Sequence, residues 1–286
     1  MLKTVRLTNC IEEGCALILG GFDGVHLGHR RLIERAKKAG KSVGITLILG
    51  CKGEYLFTLQ ERLQILSTLG VDFAVVMDFD KIKDLSAKSF LESLEKEYVP
   101  SLYVCGDDFR FGKNAQGTPD TIKSESEVPV EVETLLQVNG EKVATRTLKN
   151  LLQEGKVEEV EKLLGFCYFA LGEVVKGRQV GRQMGFPTAN IAYTKEKMPI
   201  KEGVYAIRAE VAGKTYKGIA NFGTQPTFEE KDVRLEVYVD GFDGDLYGKT
   251  LKVEFVSFLR PVQKFENQQA LTKQLEEDVK KVREND

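Results

Sequence analysis

The chain has 286 residues, 42% of them apolar and 29% charged, with a formal net charge of -2. That length accommodates two hydrophobic cores, and so even a charge balance gives no long-range pull toward nucleic acid. No apolar run approaches the roughly 18 residues of a membrane-spanning helix, and the start, Met1-Leu2-Lys3-Thr4-Val5-Arg6, lacks an apolar signal core, so the expected location is the cytoplasm. Cys10, Cys15, Cys51, Cys105 and Cys167 are odd in number and form no Cys-x-x-Cys pair, which reads as reduced, mostly buried thiols.

The apolar run Cys15 to Leu19 reads as a buried strand, and Leu27 to Ala39 has helical character ended by Gly40. Between them stands Gly20-Gly21-Phe22-Asp23-Gly24-Val25-His26-Leu27-Gly28-His29, which holds the only two histidines of the chain. At a spacing of three, both imidazoles share a helix face and can point toward its N-terminal end, where free N–H groups and the macrodipole favour an anion. A phosphate site fits this pattern; the plain alternative is a capped helix carrying two surface histidines. Zinc does not fit, because there is no third histidine and no Cys or Glu at a ligand spacing nearby. No Gly-x-x-x-x-Gly-Lys-Ser/Thr run exists, so phosphate handling falls to other loops.

Further strands are expected at Ser42 to Leu49, Val71 to Met77 and Leu102 to Cys105, alternating with helices at Thr58 to Leu69 and Ser86 to Tyr98. Thr58 and Glu61 have capping-box spacing, and Gly70 is the stop. This alternation predicts a parallel sheet with crossover helices, whose ligand lies beyond the carboxyl ends of the strands where strand order reverses. A second loop, Gly106-Asp107-Asp108-Phe109-Arg110-Phe111-Gly112-Lys113-Asn114-Ala115-Gln116-Gly117, follows a strand end and joins aromatic to polar groups, as a ring system with a phosphate requires; a surface loop around two core phenylalanines is the alternative.

A helical connector, Leu151 to Leu164, precedes a change of pattern, which sets the expected domains at 1–160 and 161–286. Strands at Phe169 to Val175, Gly203 to Val211, Lys214 to Phe222, Arg234 to Val239 and Leu251 to Phe258 predict an antiparallel barrel. Asn267 to Arg283, with Leu271, Leu275 and Val279 on one side, reads as a covering helix whose charge is a solvated face. In the run Leu235-Glu236-Val237-Tyr238-Val239, Glu236 takes the face opposite the aliphatic residues, so composition alone allows a solvated surface charge.

The histidine loop resembles the Gly-Phe-Asp-Gly-x-His-x-Gly-His signature of nucleotidyltransferases that adenylate FMN, and the second loop resembles their Gly-x-Asp/Asn-Phe-x-Phe-Gly segment. In the barrel, Gly177-Arg178-Gln179-Val180-Gly181-Arg182-Gln183-Met184-Gly185-Phe186-Pro187-Thr188-Ala189-Asn190 resembles the Gly-Phe-Pro-Thr-Ala-Asn signature of riboflavin kinases, although a proline-containing turn is the simpler reading. The segments from Gly218 to Thr227, Leu235 to Val239 and Phe242 to Gly248 resemble their kinase counterparts as well. The resemblance, to the prokaryotic bifunctional riboflavin kinases/FAD synthetases, thus covers nearly the whole chain. It implies an N-terminal Rossmann-like nucleotidyltransferase domain and a C-terminal kinase barrel, with ATP and Mg²⁺ required and riboflavin, FMN and FAD as substrates or products.

For the first domain the resemblance implies that a phosphate oxygen of FMN attacks the α-phosphate of ATP, with no protein nucleophile and with His26 and His29 supplying charge and hydrogen bonds. Gly21, Phe22, Asp23, Gly24 and Gly28 would approach the nucleotide, and Asp108 and Asn114 would contact FMN. Two departures stand out. Val143-Ala144-Thr145-Arg146-Thr147-Leu148-Lys149 replaces the usual Ile-Ser-Ser-Thr-x-x-Arg, so Thr145, Arg146 and Lys149 are the expected ATP-phosphate contacts but the planar arginine fork at the last position is gone. Gly50-Cys51-Lys52-Gly53 lacks the Pro-His-Pro pattern of relatives. For the second domain it implies nucleotide contacts by Gly177, Gly181, Arg182, Gly185, Pro187, Thr188, Asn190 and Asn221, Mg²⁺ at Thr188 and Asn190, and Glu236 as the general base. Gln225 stands where relatives have arginine. The partners implied are small molecules, not nucleic acid or membrane, and a homo-oligomer is not readable. A kinase with a weakened or regulatory first domain, and a non-catalytic flavin binder, are the alternatives.

Overall fold

The computed structural model describes residues 2–8, 14–51, 53–134, 136–138, 141–176, 185–226 and 231–284. Gly177, Gly181 and Arg182 lie outside the described residues. The chain divides into two compact units, Met1–Thr147 and Leu148–Asp286.

The first unit contains strands β1 (Lys3–Arg6), β2 (Ala16–Leu19), β3 (Val43–Leu49), β4 (Phe73–Asp78), β5 (Leu102–Gly106) and β6 (Val130–Glu133), with a small hairpin of β7 (Gln137–Val138) and β8 (Glu141–Lys142). Its helices are α1 (Leu27–Lys37), α2 (Leu59–Thr68), α3 (Phe79–Ile82), α4 (Ala87–Tyr98) and α5 (Pro119–Glu125). The sheet order is β1-β4-β3-β2-β5-β6, parallel throughout except for β1 at the edge. Strand order runs outward one way from β2 through β3 and β4, and the other way through β5 and β6. The reversal therefore falls between β2 and β5, at the mouths of the two loops singled out above.

Local chemistry explains the helix starts. Thr58 and Glu61 form the expected capping box, the Glu61 N–H donating to Thr58 Oγ1 at 3.2 Å and the Thr58 N–H to Glu61 Oε2 at 2.8 Å. Ser86 Oγ accepts the Ser89 N–H at 3.0 Å and so starts α4. β1, β6 and the hairpin escape a sequence reading because runs of two to four residues carry too little periodicity. Cys15, Cys105 and Cys167 are buried, Cys51 is exposed, and all four are free thiols. Among the described residues no helix is long and apolar enough to cross a membrane.

The helix α6 (Thr145–Glu154) crosses the division between the units, and α7 (Val157–Leu164) belongs to the second. The single helical connector expected over Leu151 to Leu164 is thus two helices, broken at Gly155, whose φ of 80° is left-handed. Val157, Val160 and Leu164 are buried, with α7 packed on the barrel. This places the division thirteen residues before the 160/161 boundary read from sequence. A fragment of residues 148–286 is accordingly expected to fold alone, whereas a fragment starting at Leu164 loses α7. Burying Val157 and Val160 contributes about 1.5–3 kcal/mol each, so the shorter fragment should melt at least about 10 °C lower by circular dichroism. Equal melting temperatures would show that α7 adds nothing.

Strands β9 (Phe169–Val175), β10 (Thr188–Ile191), β11 (Gly203–Val211), β12 (Lys214–Pro226), β13 (Lys231–Val239) and β14 (Thr250–Arg260) close an antiparallel barrel in the order β10-β13-β12-β11-β14-β9. Alternation sends Tyr205, Ile207, Ala220, Phe222, Leu235 and Val237 into the core. The opposite face, with Val204, Ala206 and Ile219, lies under Val279 and Val282 of α8 (Gln268–Glu284). The charge on α8 is not only a solvated face: Asp278 is completely buried against Arg260, and Arg283 donates two hydrogen bonds of 2.7 Å to Asp240. An acidic residue three after Leu275 reads as surface until the strand beneath it supplies a cation.

Candidate active sites

In the first unit, a cavity of about 290 Å³ opens between the carboxyl ends of β2 and β5. Gly21, Phe22, His26, Gly28, His29, Asp108 and Thr145 all line it, joined by Arg110, Glu133 and Ala144. His26 is the N-cap of α1, its Nδ1 accepting the His29 N–H at 3.4 Å, which leaves Nε2 as its donor. The two imidazoles stack face to face, centroids 3.7 Å apart and planes 13° from parallel, with Phe22 tilted against His29 at 4.6 Å. His29 Nδ1 is buried and has no hydrogen-bond partner among the described residues. A Cβ on Gly28 would lie 3.1 Å from His26 Nδ1, so a side chain there requires the His26 ring to shift by a few tenths of an ångström. Phe22 and Val25 both have φ in the left-handed region, at 50° and 43°, a strain of about 1–3 kcal/mol per residue that clusters at functional loops.

Burial pushes the His26 imidazole down to about 4, with the Asp108 carboxylate pulling the other way, and holds His29 well below the usual range through burial and then through His26. Both rings are therefore neutral at neutral pH, so of the charge and hydrogen bonds expected of them they supply the hydrogen bonds. Because an unfolded histidine titrates near 6.5, acidification below that value protonates the unfolded chain before the folded one. Stability present above pH 6.5 is then lost as pH falls toward 4. Moving from pH 7 to pH 5 should cost the first unit about 2 kcal/mol through His26 alone, and His26→Gln should flatten that slope in thermal melts. An unchanged slope would reject the burial argument.

Other expected residues stand apart from this cavity. Asp23 Oδ1 accepts the Leu56 N–H at 2.8 Å, tethering the loop to the segment before α2, and neither Asp23 nor Gly24 lines the cavity. Asn114, with φ of 57°, lines an adjoining cavity of about 470 Å³ that shares Ile48, Phe109 and Arg110 with the first. Arg146 and Lys149 do not line this cavity; Lys149 follows Thr145 by four on α6 and so shares its helix face. Arg110 borders both spaces, and its place within the Gly106–Gly117 loop is the only sequence signal it carries.

Among the described residues of the second unit, one residue is shared by two cavities. Thr188 lines both: one of about 570 Å³ with Pro187 and the loop Phe242-Asp243-Gly244-Asp245-Leu246-Tyr247, and one of about 340 Å³ with Asn221, Glu236 and Tyr238. Strand register explains the grouping. Glu236 on β13 lies directly opposite Asn190 on β10 and Asn221 on β12, and Thr188 lies opposite Tyr238, so these side chains share one face. Gly185, with φ of 79°, stands just before Phe186 and Pro187 at the entry to β10. Arg260, Phe265, Leu271 and Leu275 also line the smaller cavity; the two leucines belong to the helix side expected to cover the barrel, whereas Arg260 and Phe265 were not expected from sequence.

The family model described as riboflavin kinase matches residues 164–285, and the one described as FAD synthetase matches residues 8–51 and 50–147. A bifunctional riboflavin kinase/FMN adenylyltransferase of Bacillus subtilis is 33% identical over 97% of this chain and 96% of its own. One from Haemophilus influenzae is 30% identical over 98% and 96%. A crystal structure from Streptococcus pneumoniae titled a macrolide-efflux protein shares the fold with a TM-score of 0.88 at 25% identity, over 98% of both chains. With both halves matched separately and relatives aligned end to end, the chain belongs to the family of bifunctional riboflavin kinases/FMN adenylyltransferases.

Proposed function

We infer that the second unit phosphorylates riboflavin to FMN with ATP, and that the first adenylates FMN to FAD with release of pyrophosphate. The observation that carries the kinase reading is the position of Thr188, which lines both a cavity bordered by the loop bearing Asp243 and Asp245 and a largely apolar one containing Glu236. A flavin in the smaller cavity and ATP in the larger meet at Thr188. Glu236 takes the proton from the ribityl hydroxyl as its oxygen attacks the γ-phosphorus, and ADP leaves. Asn190 and Asn221 flank the carboxylate with neutral amides. Thr188 and Asn190 offer neutral oxygens on one face of β10, which suits Mg²⁺, an ion that draws most of its ligands from phosphate and water. Bound there, it neutralises phosphate charge. No cluster of three acidic, cysteine or histidine ligands exists among the described residues to hold a metal otherwise.

In the first unit, the FMN phosphate attacks the α-phosphorus while His26 Nε2–H and the His29 ring donate to the oxygens that gain charge. The start of α1 and Thr145 at the start of α6 supply further donors, and Lys149 and Arg146 are the candidate cations for the leaving phosphates. Asp108 and Asn114, in adjoining cavities, are the proposed FMN contacts. Chromatography of riboflavin incubated with ATP and Mg²⁺ tests the whole reading: FMN and FAD are both expected. FMN alone would reduce the first unit to a nucleotide binder, and unchanged riboflavin would leave a flavin-binding protein.

A further inference from the structure

The smaller barrel cavity contains a buried ion pair that phosphoryl transfer does not require. Arg260, the last residue of β14, lines that cavity; its Nε donates to Asp278 Oδ2 of α8 at 2.9 Å, and its Nη2 pairs with the same oxygen at 2.8 Å. Gln274 Nε2 adds a bond of 3.1 Å to Oδ1 of the same carboxylate. A buried ion pair is an inefficient stabiliser, since apolar residues of equal volume serve as well or better. What this one supplies is orientation. A guanidinium has five N–H donors; Asp278 takes the Nε–H and lies 2.8 Å from Nη2 in the ion pair, and the Pro261 carbonyl takes one N–H on Nη1 at 3.2 Å. Among the described residues donors remain on both terminal nitrogens.

The rest of the wall is largely apolar, with Phe186, Val204, Ile219, Phe265, Leu271 and Leu275. Leu271 and Leu275 stand seven and three residues before Asp278, on the same side of α8, so the carboxylate that grips Arg260 also fixes the rotation that brings both leucines over the cavity. Phe265 lies beneath the guanidinium, 5.8 Å from Cζ to the ring centre. A slot of this kind takes a flat ring system, and paired donors at one end select a ring edge bearing carbonyl oxygens. The flavin ring has such an edge at its pyrimidine end and none at its dimethylbenzene end.

We propose that Arg260, oriented by Asp278, binds the carbonyl edge of the flavin ring and sets the direction in which the ring enters, so that the ribityl chain runs to Glu236 and Thr188. Arg260 is then a flavin-binding residue and Asp278 its positioning residue. This assignment rests on reading the cavity as the riboflavin site.

Kinase assays with riboflavin and with its 2-thio and 4-thio analogues, whose sulfur accepts hydrogen bonds poorly, test it. Wild type should prefer riboflavin over the analogues. Arg260→Met combined with Asp278→Leu removes both charges without stranding either, and should raise the KM for riboflavin by about 10–100-fold. The KM for ATP should stay near wild type, and the preference over the thio analogues should vanish. Arg260→Lys keeps the ion pair but loses the fork, and answers the same question if the double variant does not fold. Asp278→Asn, which loosens the guanidinium but keeps its donors, should raise KM less and retain part of the preference. A wild type that phosphorylates no riboflavin overturns both readings. Riboflavin turnover by wild type, with the KM and the preference unaltered in Arg260→Lys or in the double variant, overturns the Arg260 assignment alone.

Discussion

Replacing Glu236 with glutamine is expected to lower FMN formation by about 10²–10⁴ while leaving conversion of supplied FMN to FAD intact. The substitution keeps the shape of the side chain and its place opposite Asn190 and Asn221 on the neighbouring strands, so the barrel has no reason to unfold. It removes only the capacity to accept a proton. Leu235 and Val237, buried in the barrel core, lie on the face of β13 opposite Glu236, so the substitution leaves the core packing untouched. Steady-state rates of FMN and FAD production, measured separately, distinguish this outcome from a general loss of structure. Near-normal FMN production would remove Glu236 from the mechanism and leave it as a surface carboxylate.

Alanine at His29 should lower FAD formation from FMN and Mg·ATP by about 10²–10³ and spare FMN formation. Two effects combine here. The variant loses a donor facing the cavity, and it opens the stack in which the His29 ring is held between His26 at 3.7 Å and Phe22 at 4.6 Å. Asparagine at the same position restores a donor without the ring and should recover only part of the rate. Because both imidazoles are held neutral by burial, the loss should persist at pH 8 as well as at pH 7. FAD formation within a few-fold of wild type would exclude His29 from the transition state. A wild type that makes FMN but no FAD would point to the altered Thr145-Arg146 and Lys149 element, where a lysine replaces the bidentate fork of an arginine.

The amino-acid sequence by itself determined the features that depend on near neighbours. The strand, turn and helix around His26 and His29, the Thr58–Glu61 capping box, the alternation that sets Glu236 apart from Leu235 and Val237, and the change from an α/β to an all-β pattern are properties of spacings of two to four residues. A glycine at position 28 and histidines three apart could be connected to phosphate chemistry for the same reason. Tertiary structure decided everything that depends on burial or on partners distant along the chain. It made the two histidines neutral by closing a cavity over them, turned Asp23 onto Leu56, and divided Asp108 and Asn114 between adjoining cavities. It added β1 and β6 to the sheet edges, where four residues gain their stability from the neighbouring strand. It also buried Asp278, whose carboxylate would read as solvated on any helix until Arg260, eighteen residues earlier on another element, came to lie against it. Charge state and ligand access follow from what surrounds a group, and those surroundings are assembled only when the chain closes on itself.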